Sequence, residues 1–227
     1  YASSGDGVNF TECASFRMDT LNYDAQDFFA DNPDSQGAFS TLTWDWKTRK
    51  VWKKGRMNLA DTGLYSFDPA ANAWSTEFAG EVLNQGDCTS AIDPVRHILV
   101  SASDNVLHAW DLDSPTTDSV ALTTSGTPPG DSAIGFVFDP VSGCFLAWNG
   151  GASVFKLTPP LSNLNWRTAT WVWSTLTNAA GGATPTAPAT EGGTFGRFNY
   201  ISALRALVVV NDNEESAYVY KLPRVAV

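Results

Sequence analysis

The residues best placed to do chemistry are carboxylates beside glycine in the segments PDSQG (33–37), NQGDC (84–88), PPGDS (128–132) and TEGGT (190–194). They are Asp34, Asp87, Asp131 and Glu191. Gathered at one place, such oxygen ligands could hold a hard cation such as Ca2+ or attract a basic partner. A facing pair among Asp87, Asp131 and Glu191 could instead act as acid and base on a glycosidic bond, at the roughly 5–9.5 Å separations such hydrolysis uses. The commoner use of Asp beside Gly is to make turns. Arg197, just beyond the last of these segments, could pair with one of the carboxylates, and a structural ion pair is the expected role.

Aromatic residues offer a different chemistry. Trp171 and Trp173 alternate and so share one strand face, and with Trp166 they lie beside a long polar insertion. An exposed platform of this kind could stack on sugar rings. Bulky packing between sheets is the competing role, and the commoner one. The run Asn211 to Glu215 lacks the glycine and spacing of a helix-loop-helix calcium site and reads as a solvated hairpin. No G-x-S-x-G or H-E-x-x-H motif is present. Cys13, Cys88 and Cys144 contain no CxxC, allow at most one disulfide and leave the compartment open. The sequon Asn9-Phe10-Thr11 matters only in a eukaryotic secretory route.

What must position these residues is a β framework. Of the 227 residues 43% are hydrophobic, 12% aromatic and only 17% charged, which excludes a disordered chain. The formal net charge of −10 argues against nucleic acid, whose phosphates require clustered Lys and Arg. The one basic cluster, Lys47 to Arg56, alternates with Val51 and Trp52 and reads as a solvated hairpin. No apolar run approaches the ~18 residues of a membrane helix, so no transmembrane segment is expected. Tyr1 stands where an initiator Met would, with no charged-then-apolar leader after it, and marks a processed chain or a fragment.

A repeat organises the framework. AIDPVRHILVSAS, FVFDPVSGCFLAW and FNYISALRALVVV share the pattern strand, turn, strand, and LTWDWKTRKVW joins them more weakly. Their turn positions are 45, 93, 139 and 201, spaced 48, 46 and 62 apart. A period in the mid-forties with one insertion suits a four-stranded propeller blade. Third strands follow at 63–68, 105–112, 153–157 and 217–222, and fourth strands are clearest at 71–78 and 170–176. The reading is an all-β propeller with blades at 39–79, 86–124, 131–177 and 194–227, preceded by an irregular segment 1–38 that could supply a closing strand or the remnant of an upstream blade. Segment 178–193 is a low-complexity loop of Ala, Gly, Pro and Thr.

GLYSFDPAANAW and the pair Gly150-Gly151 resemble kelch repeats, and HILVSASDNVLHAWDL, with Trp110-Asp111, resembles a WD repeat. The stretch from Glu191 to Pro223 is similar to the closing segment of galactose-oxidase-like propellers from bacteria and phages. The resemblance covers roughly residues 39–222 and implies a propeller, four blades of it visible, in families that usually close with six or seven. Radical copper oxidases also use kelch propellers, but His97 on a second strand and His108 on a third, with no Tyr-Cys partner evident, do not fit such a centre. The expected function is non-catalytic recognition or assembly, with loops, chiefly 158–193, presented to a protein partner, assembly neighbours or a glycan. The expected location is extracellular, on a cell surface or on a virus particle. No cofactor is expected beyond the Ca2+ that the carboxylates could hold, and an enzyme acting on carbohydrate is the alternative.

Overall fold

A computed structural model describes residues 14–17, 22–28, 41–54, 63–78, 88–103, 106–115, 119–130, 134–163, 165–177, 182–185, 193–211 and 216–223. The chain divides into two compact units, Tyr1–Gly86 with Ser114–Asp118, and Asp87–Asp113 with Ser119–Val227. In the first unit, β1 (Ala14–Arg17) pairs antiparallel with β2 (Asn22–Phe28). The segment read from sequence as irregular therefore carries a two-stranded sheet. A separate four-stranded meander follows: β3 (Thr41–Asp45), β4 (Lys50–Lys54), β5 (Leu64–Asp68) and β6 (Ala73–Phe78). Its basic hairpin is exposed at the turn, residues 46–49, and partly exposed along β3 and at Lys50. Lys53 and Lys54 in β4 are buried, at 0% and 2% exposure.

The second unit begins with the four-stranded sheet β7 (Thr89–Asp93), β8 (Ile98–Ser103), β9 (Val106–Asp111) and β10 (Val120–Ala121). Next come β11 (Thr124–Ser125), β12 (Gly135–Asp139), β13 (Cys144–Trp148), β14 (Ser153–Thr158) and β15 (Trp171–Thr177), a meander from β12 to β15 with β11 added parallel to the outer edge of β15. The last sheet has three strands, β16 (Phe198–Ile201), β17 (Ala206–Val209) and β18 (Tyr218–Lys221).

One turn joins the first two strands of every meander. The positions aligned in sequence, Asp45, Asp93, Asp139 and Ile201, each end an inner strand. Four residues later the backbone is left-handed, at Arg49 (φ 56°), His97 (φ 52°), Gly143 (φ 65°) and Arg205 (φ 47°). His97 is thus a turn residue, not a strand residue as expected. Each aspartate folds back on its own turn, as short polar side chains do. Asp45 Oδ1 accepts from Lys47 N–H at 2.9 Å, Asp93 Oδ1 from Val95 N–H at 2.8 Å, and Asp139 Oδ1 from Val141 N–H at 3.0 Å. Ile201 cannot do this. Its turn is closed instead by shorter-range backbone bonds, Leu204 N–H to Ile201 C=O and Arg205 N–H to Ser202 C=O, both 3.2 Å.

The core of the second unit lies between sheets. In β13 successive side chains point to opposite faces: Phe145 and Ala147 join a cluster with Ile98, Val100 and Ala109 of the preceding sheet, while Leu146 and Trp148 join Phe198, Leu207 and Val209 of the following one. Burying each large side chain on such a face contributes about 1.5–3 kcal/mol. Gly135 lets the inner strands approach, because a Cβ there would collide with the Phe198 side chain.

Candidate functional site

Asp34, Asp87, Asp131 and Glu191 lie outside the described residues, so the acidic mouth and the acid/base pair stay expectations. Arg197 sits in a short 3-10 turn, Phe195–Arg197, that leads into β16. Its guanidinium donates to the Asn211 carbonyl at 2.5 Å and to the Gly193 carbonyl. Among the described residues its partners are these backbone oxygens, which fix the chain leaving the insertion, and the carboxylates it was expected to pair with lie outside the described residues.

The three tryptophans of the expected platform are buried: Trp166 is 5% exposed, Trp171 0% and Trp173 4%. All belong to the cluster between the second unit's first two sheets, and Trp171 Nε1 donates to the Trp166 carbonyl at 3.0 Å. No face is left for a sugar ring on any of them. Arg167 stacks over the Trp166 ring at 4.3 Å and reaches Asp111 Oδ2 at 3.1 Å, tying the loop before β15 to the preceding sheet.

The histidines are buried and partnered separately, His97 Nδ1 with Asp113 Oδ1 at 2.7 Å and His108 Nδ1 with Ser119 Oγ at 3.4 Å. Among the described residues no group of three or more His, Cys, Asp or Glu side chains could hold a metal ion. Cys88 and Cys144 are both buried. The buried carboxylates are structural. Burial alone would raise the pKa of Asp139, but hydrogen bonds from Ser142 Oγ and Val141 N–H, the nearby Tyr200 hydroxyl and the charge of Arg205 together hold it below the ordinary value. Burial first, then the neighbouring Asp139, pushes the Tyr200 phenol up.

What the second unit does offer is a cavity of about 600 Å³ between the β13–β14 hairpin and the last sheet. Trp148, Val154, Leu207 and Tyr218 are among its walls, and Gly182, Ala183 and Pro185 of the low-complexity insertion also line it. Two left-handed glycines shape one side: Gly150 (φ 116°) and Gly151 (φ 75°) turn the chain so that the Gly151 carbonyl accepts from Trp148 Nε1 at 3.0 Å. Nothing lies within 4 Å of where a Gly151 Cβ would stand. Tyr220, another wall, has its phenol pKa raised by burial and stays neutral at physiological pH. Lys221 is the one charged side chain among the lining residues. The size and mainly apolar walls fit a ligand site. The sequence reading placed AYVYKL on a third strand but not at a site; the signal was a pair of tyrosines two residues apart, which share one strand face.

No protein-family model matches the sequence, and no curated protein matches it. Solved structures do. A chain of a nidogen/laminin complex aligns at 12% identity with a TM-score of 0.59, covering 94% of this chain and 72% of that one. An auxiliary nutrient binding protein from Bacteroides ovatus aligns at 13% identity and 0.51, covering 83% and 45%. The major Malassezia sympodialis allergen Mala s 1 aligns at 14% and 0.52, covering 80% and 54%. The chain spans about half the length of the latter two. These likenesses show the fold, an all-β propeller of antiparallel blades, and the fold alone.

Proposed function

We propose that this chain is a non-catalytic recognition module of a kelch-like propeller, acting outside the cell or on a particle surface, and that it binds a protein partner at the cavity beside its last sheet. The observation that carries this reading is the meeting of the insertion with a preformed apolar cavity: Gly182, Ala183 and Pro185 line the same space as Trp148, Tyr218 and Tyr220. Loops on a rigid scaffold are where recognition concentrates. The double-glycine turn at Gly150 and Gly151 supports the kelch affiliation. One structural neighbour is part of a complex with another protein, and another is a nutrient binding protein, so binding is one use to which this fold is put.

The test is a plug. Ala152 is exposed and lines the cavity, so Ala152→Trp fills it from the rim without disturbing the core. Wild-type protein and the variant are screened side by side on arrays of peptides and of glycans. Peptides retained by the wild type and lost by the plugged protein support the reading, and plug-sensitive glycans with no such peptide contradict a protein partner. A ligand set unchanged by the plug contradicts it.

A further inference from the structure

Among the described residues the last sheet ends on an unpaired strand edge. β18 pairs with β17 on one side and is the outer strand of its sheet. Leu222 N–H donates to the Arg205 carbonyl, at 3.2 Å, on the β17 side. Backbone groups of alternate residues point the same way, so those of Tyr218 and Tyr220 also face β17, and those of Val219 and Lys221 face away from it. Among the described residues nothing accepts from or donates to the backbone of Val219 or Lys221 on that outer side. Ala217, Tyr218, Val219, Tyr220 and Lys221, five in a row, line the cavity. A cavity touching only one face of a strand would be lined by every second residue. The cavity lies on the sheet face shared by Leu207, Val209, Tyr218 and Tyr220, and the lining by Val219 and Lys221 carries it round to the backbone edge.

From this geometry we infer that the cavity takes an extended peptide segment of a partner protein, added as a further strand to β18; the inference rests on the recognition reading above. The N–H and C=O groups of Val219 and Lys221 provide the ladder. Side chains of the added strand on the Tyr218 and Tyr220 side enter the space walled by Trp148, Val154 and Leu207, so they are apolar. Those on the other side lie beside Val219, 63% exposed, and the exposed Lys221. Lys221 as the one charged lining residue calls for a carboxylate there. Strand addition of this type draws affinity from main-chain bonds and specificity from pockets for alternate side chains. The neighbouring sheet already shows the operation: β11 adds parallel to the edge of β15, and Trp171 N–H donates to the Thr123 carbonyl at 2.9 Å.

The probe is a labelled peptide of sequence Thr-Val-Thr-Val-Asp-Val-Thr, capped at both ends, followed by fluorescence anisotropy. The wild type is expected to bind it. N-methylation of alternate backbone amides, or the Ala152→Trp plug, weakens binding at least tenfold. Lys221→Glu, an exposed change that leaves the core intact, reverses the preference between this peptide and its counterpart with Lys in place of Asp. Equal binding of the N-methylated peptide overturns the inference. Plug-sensitive glycans with no peptide binding overturn both the inference and the protein-partner reading, whereas plug-sensitive peptides that bind equally when N-methylated overturn the inference alone. Absence of any plug-sensitive ligand overturns both. Concentration-dependent dimers abolished by the plug contradict a separate partner and assign the edge to a second copy.

Discussion

Arg205 and Asp139 join the last two sheets of the second unit, with Arg205 Nη2 3.4 Å from Asp139 Oδ2. Both belong to the same repeated turn. Asp139 ends the inner strand of one meander, and Arg205 is the left-handed residue of the next, whose own aspartate position holds Ile201. The fourth turn lacks an internal carboxylate, and its arginine borrows the neighbour's while donating to the Pro223 carbonyl at 2.8 Å. Asp139→Asn should destabilise the protein by about 1–3 kcal/mol, the cost of an imperfectly satisfied buried polar group. Arg205→Ala should cost less, since the arginine is partly exposed. The pKa of Asp139 is lowered on folding, so its stabilising contribution is present above the ordinary carboxylate value of about 3.9 and is lost as pH falls through the lowered one. Thermal melts from pH 7 to pH 2 should show a shallower acid limb in Asp139→Asn, and an unchanged limb would contradict the assignment.

Two glycines test two different constraints. Gly143 is left-handed, φ 65°, with nothing within 4 Å of where a Cβ would stand, whereas Gly135 has Phe198 in the way. Gly143→Ala should cost about 1 kcal/mol and Gly143→Asn less, because Asn tolerates that conformation. At Gly135 both substitutions should cost about 1–3 kcal/mol, because the obstacle is packing. Denaturant unfolding of the four variants checks the pattern; rescue of Gly135 by Asn would refute it.

Trp173 separates core from platform. Trp173→Ala should lower stability by about 3–5 kcal/mol, as for other buried aromatics. A variant of wild-type stability that had lost only sugar binding would restore the platform reading. Calorimetry and glycan binding on the same sample decide.

Much of the framework was legible because period and turn chemistry are local. The register at 45, 93, 139 and 201 marks the true strand ends, and the third strand at 217–222 contains β18. The role of the tryptophans was not legible, since alternation places Trp171 and Trp173 on one face without saying whether another sheet covers it. Sequence shows the charge of Arg197 but not the Gly193 and Asn211 carbonyls that it meets. The cavity escaped notice because its walls come from segments distant in the chain, Trp148, the insertion around Ala183, and Tyr218. Only the stacking of sheets brings these together.

Buried thiols give a direct check of the second unit's packing. Cys88 and Cys144 are 3% and 4% exposed. In a Cys13→Ser background a thiol reagent should label neither until the protein unfolds, so labelling should follow the opening equilibrium. Rapid labelling of the native protein would place one of them at the surface.

Residue-resolved amide exchange of β18, with and without the Thr-Val-Thr-Val-Asp-Val-Thr probe, tests the central claim most directly. In the free protein the Val219 and Lys221 amides should exchange fast, and those of Tyr218 and Tyr220, which face β17, slowly. Bound peptide should slow Val219 and Lys221 at least tenfold and leave the tyrosine amides unchanged. Peptide binding that leaves Val219 and Lys221 as fast as before would contradict recognition at this edge.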